Sequence, residues 1–289
     1  MIIKIFKSKF QGPFSLKLCI DSEQCPSDLW QLENGKYKSF IEVNNKWIPV
    51  EVWENPTTLF IKAEKDISNE ILYQFWADCD VLDFYSKFRA DKYLSKIIKS
   101  LRGLRVMRNL DLNWGVLEAI CTQNSSVKQI RKMEKNLRKF YGNGFTFNLK
   151  KLTVANTKEL EQKCKLGYRA RYIKNVAKMI IKGGLNFKGI KEMDTKEARK
   201  FLLKIKGIGP KVADIILLYS FGKPDTFPMD IWLRRALIRE YFNGKEVSQP
   251  KLRNFALNYF GNHAGIAHLY IFCYERKILP ILKNPIKDS

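Results

Sequence analysis

Only two histidines, His263 and His268, occur in this 289-residue chain, and the six cysteines (Cys19, Cys25, Cys79, Cys121, Cys164, Cys273) are scattered without a single Cys-x-x-Cys pair. Those scarcities argue against a conventional zinc site and against an iron–sulfur cluster, so neither a metal nor a cofactor is expected. The thiols read as reduced and mostly buried. A phosphate loop or dinucleotide fingerprint is also missing, because Gly207-Ile208-Gly209-Pro210-Lys211 lacks the later glycines and a preceding strand. No apolar run approaches membrane-span length, and lysines interrupt the N-terminal MIIKIFKSKF before it reaches that of a signal peptide. The expectation is an intracellular protein with no membrane partner, cytoplasmic or nucleoid-associated in a prokaryote and nuclear in a eukaryote. There is no internal repeat and no low-complexity segment.

Acidic residues are few as well. Asp and Glu number 29 against 52 Lys and Arg, a formal net charge of +23 and a sequence pI near 9.7. An excess of that size predicts a polyanionic partner, a nucleic acid before anything else. The plainer alternative is a basic protein that binds no polyanion. At 45% hydrophobic, the chain is long enough for a real core and for two or three packed subdomains.

From Ile2 to about Ala63 the dominant hydrophobic period is two, in Ser15–Ile20, Tyr37–Val43, Trp47–Val52 and Leu59–Ala63, with turn signals at Asn34-Gly35 and Asn44-Asn45. This predicts an antiparallel sheet. From about Ser68 onward the spacing becomes three and four, as in Ile71, Phe75, Phe84, Phe88, Leu94, Ile97 and Leu101, so the remainder is mainly helical. The expected fold class is α+β: a sheet domain over residues 1–85, then a helical body of two subdomains over 86–289. Within that body, Trp114–Cys121 is a helix interrupted by the polar run Thr122–Ser126, and Ser126 with Gln129 resembles a capping box opening the next helix. A basic-headed helix follows Tyr168-Arg169 and stops at Gly183-Gly184.

The most informative stretch is Phe201–Leu237, where two apolar helices flank Lys206-Gly207-Ile208-Gly209-Pro210-Lys211, a helix-hairpin-helix pattern at about 199–220. Gly207 and Gly209 permit dihedrals closed to other residues and leave no side chain between backbone and ligand, while amides at the following helix N-terminus can face a phosphate. Such a hairpin grips DNA without reading its sequence; the plainer reading is a two-helix turn with a cap glycine. Lys211 sits just inside the second helix. A cation there opposes the macrodipole, and apolar surroundings disfavour the ammonium, so free amine becomes available for attack on a sugar carbon. A phosphate-binding lysine is the alternative. Asp230, after Pro228 and before a further helix, is an N-cap by position, and capping leaves its carboxylate ionised, fixed and able to stabilise positive charge on a deoxyribose as the base departs.

On these residues the chain resembles the helix-hairpin-helix base-excision glycosylases, most closely the 8-oxoguanine DNA glycosylase/AP lyase family, over roughly Phe14 to Ile278 and most strongly in Leu166–Tyr172 and Leu202–Arg235. The resemblance implies that Lys211 is the nucleophile and lyase residue and Asp230 the catalytic carboxylate, with DNA held between the two helical subdomains. It implies that Asn124 enters the duplex beside the orphaned cytosine, that Tyr168 wedges the kinked step, that Arg169 contacts the orphan base and that Phe272 stacks on the extruded one. Several positions depart from the family. Gln129 replaces a second cytosine-reading arginine. His268 replaces a glutamine that reads the Watson–Crick edge, so recognition should acquire pH dependence at about 6 to 7, where imidazole titrates. The segment Glu23-Gln24-Cys25-Pro26 replaces Gly-Gln-Ser/Cys-Phe, whose glycine carbonyl takes the N7 hydrogen of the oxidised base. Ile215 replaces a base-pocket cysteine, and Trp232 a histidine near the catalytic aspartate.

The expected partner is therefore double-stranded DNA containing a damaged base, bound by a monomer. The expected function is excision of an oxidised purine, 8-oxoguanine opposite cytosine, through a lysine Schiff base, followed by strand nicking. Two alternatives remain: a glycosylase for other oxidised or alkylated purines, and a non-catalytic helix-hairpin-helix DNA-binding module.

Overall fold

The computed structural model describes residues 1–27, 29–44 and 46–279; Asn45 of the expected Asn44-Asn45 turn and residues 280–289 of the expected helical domain lie outside the described residues. The architecture is α+β. Strands β1 (Ile2–Phe6), β2 (Gln31–Glu33), β3 (Lys36–Val43), β4 (Lys46–Glu54) and β5 (Thr58–Lys62) form one sheet in the order β1-β5-β4-β3-β2, every neighbouring pair antiparallel. Asn34 and Gly35, with φ of 51° and 75°, join β2 to β3. Two left-handed residues in succession are what a two-residue hairpin with native twist requires, and an Asn-Gly pair adopts them at low cost. Alternation puts Tyr37, Ile41, Ile48, Val50, Val52, Leu59 and Ile61 on the buried face, packed with Leu16, Cys19, Ile20, Phe75 and Met107.

One expected strand is a helix. Ser15–Ile20 alternates, yet Leu16–Asp21 is helical, because Leu16, Cys19 and Ile20 satisfy helical spacing equally well and the cap decides. The Ser15 hydroxyl accepts from Leu18 N at 3.3 Å, and the Glu54 carboxylate accepts from Leu16 N at 3.1 Å and from Lys17 N at 3.4 Å. Three otherwise orphaned amides of the first turn are thereby satisfied, which a strand would not offer.

The chain packs as two compact units, residues 1–110 with the segment from Pro224 onward, and residues 111–223. The expected division at 85/86 falls within helix Val81–Lys87, whereas the packing units divide at 110/111 and 223/224. In the first unit the long return of the chain is fixed by Tyr270, whose hydroxyl shares a 2.7 Å hydrogen bond with that of Tyr85 and donates to Leu104 O at 2.9 Å. Buried Arg105 donates to the carbonyls of Gln11, Pro13, Trp76 and Cys79, closing the loops around the sheet. Among the described residues no helix is long and apolar enough to cross a membrane. All six cysteines are free thiols, four of them buried.

Candidate active site

In the unit 111–223 the hairpin is built as its sequence dictates. Helix Thr195–Leu202, capped by Asp194, leads through Gly207 into helix Pro210–Ile215, which continues as a wider π-type turn over Ile216–Ser220. Such widened turns recur near functional sites. Arg199 Nε donates to the buried Asp214 carboxylate at 2.8 Å and ties the two helices together. The two glycines have different reasons to be there. Gly207 has φ 99°, and a Cβ on it would lie 2.4 Å from the Tyr172 ring. Gly209 has φ −88°, open to any residue, and an added Cβ meets nothing within 4 Å. The expectation that both glycines need special dihedrals is corrected for Gly209, whose bareness serves the open space in front of it.

Every residue from Val212 to Ser220 is buried, while Lys211 is half-buried with its Nζ donating to Thr122 O at 3.3 Å. Ile215 lies on this apolar helix at 6% exposure. Thr122 opens the polar break that follows helix Leu112–Cys121. Gln123 Nε2 donates to Gly207 O at 2.9 Å, and Asn124 adopts φ 42°. A left-handed non-glycine residue is tolerated best by Asn and turns its side chain out of the helical path. Asn124 Nδ2 reaches the hydroxyl of exposed Tyr168 at 3.3 Å.

Arg169 is buried rather than presented to solvent. Its Nε donates to Gln123 O at 2.9 Å, its Nη1 to Leu166 O at 3.2 Å and its Nη2 to Asn124 O at 3.2 Å, with a further short contact from Nη2 to Gln123 O, while the guanidinium lies 4.5 Å over the Tyr168 ring. Asn124, Tyr168 and Arg169 are thus one cluster in which the arginine braces the break. Gln129 is exposed, and its Oε1 accepts from Ser126 N at 2.8 Å, completing the expected capping box at the start of helix Val127–Tyr141.

The other unit carries the remaining site residues. Asp230 caps helix Ile231–Tyr241, its Oδ1 accepting from Trp232 N and Leu233 N, each at 2.9 Å. Two amide donors hold that oxygen in place. In helix Ala264–Glu275 all residues from Ala264 to Ile271 are buried, whereas Phe272 is half-exposed. Buried His268 stacks on Phe272 with ring centroids 5.9 Å apart and meets Phe227 edge-on at 5.8 Å. Core packing, the default for a phenylalanine in an apolar helix, does not describe Phe272.

Glu23, at the family's glycine position, has φ 55°. That φ lies in the left-handed region, which favours glycine. Its neighbour Gln24 anchors the segment. The fully buried Gln24 side chain donates to Cys19 O and Arg105 O, both at 3.0 Å, and accepts from Met107 N at 2.6 Å. Gln24, Gln123 and Thr122 carry no distinctive motif in the sequence. The only available signal was that they are polar residues inside segments already marked by neighbours.

A family model described as HhH-GPD superfamily base excision DNA repair protein matches residues 117–260. The chain is 28% identical to the "Probable N-glycosylase/DNA lyase" of Methanothermobacter thermautotrophicus, over 92% of this chain and 95% of that one. It superposes on the crystal structure of Clostridium acetobutylicum 8-oxoguanine glycosylase/lyase, determined with double-stranded DNA containing cytosine opposite 8-oxoguanine, with a TM-score of 0.81 at 30% identity over 92% of this chain and 93% of that chain. A 3-methyladenine DNA-glycosylase from Archaeoglobus fulgidus shares the fold, with a TM-score of 0.78 at 23% identity. With the hairpin, the capped aspartate and these relatives in agreement, the chain belongs to the HhH-GPD superfamily of base excision DNA repair proteins.

Proposed function

We propose that this protein is a bifunctional DNA glycosylase/AP lyase that removes an oxidised purine, 8-oxoguanine opposite cytosine, from double-stranded DNA. The observation that carries the reading is Lys211: half-buried, with its amine donating to Thr122 O, it stands at the start of a helix buried from Val212 onward, within the stretch that the HhH-GPD family model matches. After duplex binding through the hairpin backbone and extrusion of the base, the Lys211 Nζ lone pair attacks C1′ of the deoxyribose. The C1′–N9 bond breaks and the base leaves with a proton. The Asp230 carboxylate, fixed by two amides, stabilises the positive charge that grows on the sugar. Ring opening gives an imine between Nζ and C1′; loss of a C2′ proton then expels the 3′ phosphate, which is β-elimination.

Phe272 takes the extruded base, and Glu23 supplies the acceptor for the N7 hydrogen that guanine lacks. Asn124, Tyr168 and Arg169 occupy the gap, with Arg169 acting on the orphan cytosine directly or through the carbonyls it braces. A monomer suffices for a single lesion. Single-turnover excision over a panel of modified bases tests the substrate: 8-oxoguanine should be cut in preference to guanine, and equal cutting of the two would refute reading at N7. Arg169→Ala should erase the preference for cytosine opposite the lesion, and unchanged opposite-base discrimination would remove Arg169 from the account.

A further inference from the structure

The first unit contains a charged pair that the family reading leaves without a purpose. Arg276, one turn beyond Phe272, holds its guanidinium 4.9 Å over the Phe272 ring, and its Nη1 lies 3.8 Å from Glu23 Oε2. Both side chains are accessible, at 23% for Arg276 and 44% for Glu23. At 3.8 Å the pair is in ionic contact but beyond a good hydrogen bond, so each group keeps hydrogen-bonding capacity for a third partner. The pair is also rigidly founded. Ser22 and Gln24 on either side of Glu23 are buried, and the Cys273 thiol reaches Ser22 O at 3.7 Å, which pins the loop to the helix that carries Phe272.

Oxidation of a purine at C8 changes two adjacent atoms: C8–H becomes a carbonyl, a strong acceptor, and N7 gains a hydrogen, becoming a donor. A reader for that edge needs a donor and an acceptor side by side, next to the ring on which the base stacks. We propose that Arg276 and Glu23 are that reader, Arg276 donating to the C8 oxygen and the Glu23 carboxylate standing beside it as acceptor towards N7–H. This rests on the proposed glycosylase function and extends its substrate class to 8-oxopurines in general, since 8-oxoadenine presents the same edge. The pair also acts against the undamaged base: the bare N7 lone pair of guanine would face a carboxylate, and C8–H offers the guanidinium nothing.

The test uses the full chain and four duplexes containing 8-oxoguanine, 8-oxoadenine, guanine or an abasic site, with each variant's excision rate expressed relative to its own incision of the abasic duplex, which has no base to read. Arg276→Met, which keeps packing on Phe272 but removes the donors, should lower relative excision of both 8-oxopurines at least about tenfold, the worth of one good polar contact to a base edge. Arg276→Lys, which restores a donor, should recover part of the loss; a role in packing alone would be satisfied by Met and not by Lys. Glu23→Gln should narrow the gap between 8-oxoguanine and guanine. Unchanged relative rates in Arg276→Met, or loss confined to 8-oxoguanine while 8-oxoadenine is unaffected, would overturn the proposal. If the wild-type protein incises the abasic duplex and excises 8-oxoguanine but not 8-oxoadenine, the proposed function stands and this inference fails; if it acts on none of them, the proposed function fails first.

Discussion

Single residues here do double duty, and substitutions can separate the duties. Asp230 is both a helix cap and the proposed charge stabiliser. Asp230→Asn keeps a good capping side chain and loses the charge, so its melting temperature should stay close to wild type while single-turnover excision falls at least about a hundredfold. An unchanged rate would reduce Asp230 to a cap. The glycines separate in the opposite way. Gly207→Ala forces a left-handed alanine against the Tyr172 ring and should cost about 1–3 kcal/mol in urea unfolding, because the backbone there has no relaxed alternative. Gly209→Ala has an ordinary φ and open space, so stability should change by less than about 1 kcal/mol while duplex affinity, read by fluorescence anisotropy, falls. Equal effects of the two substitutions on stability would contradict this division. What sequence could see at this scale was residue type and spacing: Lys211, Asp230 and the glycines all stand out. It could not see that Arg169 is spent on three backbone carbonyls, or that Glu23 and Arg276 meet, because both are long-range consequences of packing.

At the level of elements, legibility followed the caps. The capping box of Ser126 and Gln129, the Asp230 cap and the Asn34-Gly35 hairpin are local hydrogen-bond arrangements, and local sequence encodes them completely. Ser15–Ile20 reads as a strand in sequence because six residues cannot distinguish period two from period three-to-four, and the deciding acceptor, Glu54, lies on β4. The π-type turn over Ile216–Ser220 carries no sequence signal within an apolar run. One element junction titrates. His263, at the start of helix Ala264–Glu275, lies against Phe84 and Phe88 with its Nε2 2.9 Å from Asp83 and with Lys87 nearby; burial lowers its pKa below the usual imidazole value, opposed by Asp83 and reinforced by Lys87. A folded-state pKa below the unfolded one means stability that is present above the unfolded value, about 6.5, and lost as pH falls through the folded value. The melting temperature should therefore drop between about pH 7 and 5, and the drop should flatten in His263→Gln. An equal slope in the variant would show that other groups carry it.

On the scale of the whole molecule, the charge of +23 and the family fold make the same demand, a polyanion. Duplex affinity should fall at least about tenfold between 50 and 200 mM salt, as expected when several phosphates are neutralised and counterions released. Affinity independent of salt would contradict the electrostatic account. The order of sheet then helices was legible from hydrophobic period alone, but the return of the C-terminal helices to the unit of residues 1–110 was not, since it depends on contacts such as Tyr85 with Tyr270. Chemistry remains the central claim, and it rests on one amine. Borohydride reduction during reaction with an 8-oxoguanine duplex intercepts an imine directly. The account predicts a covalent protein–DNA adduct with the wild-type chain and none with Lys211→Gln; no adduct with the wild-type chain on any damaged duplex, or an adduct that survives in Lys211→Gln, would contradict it.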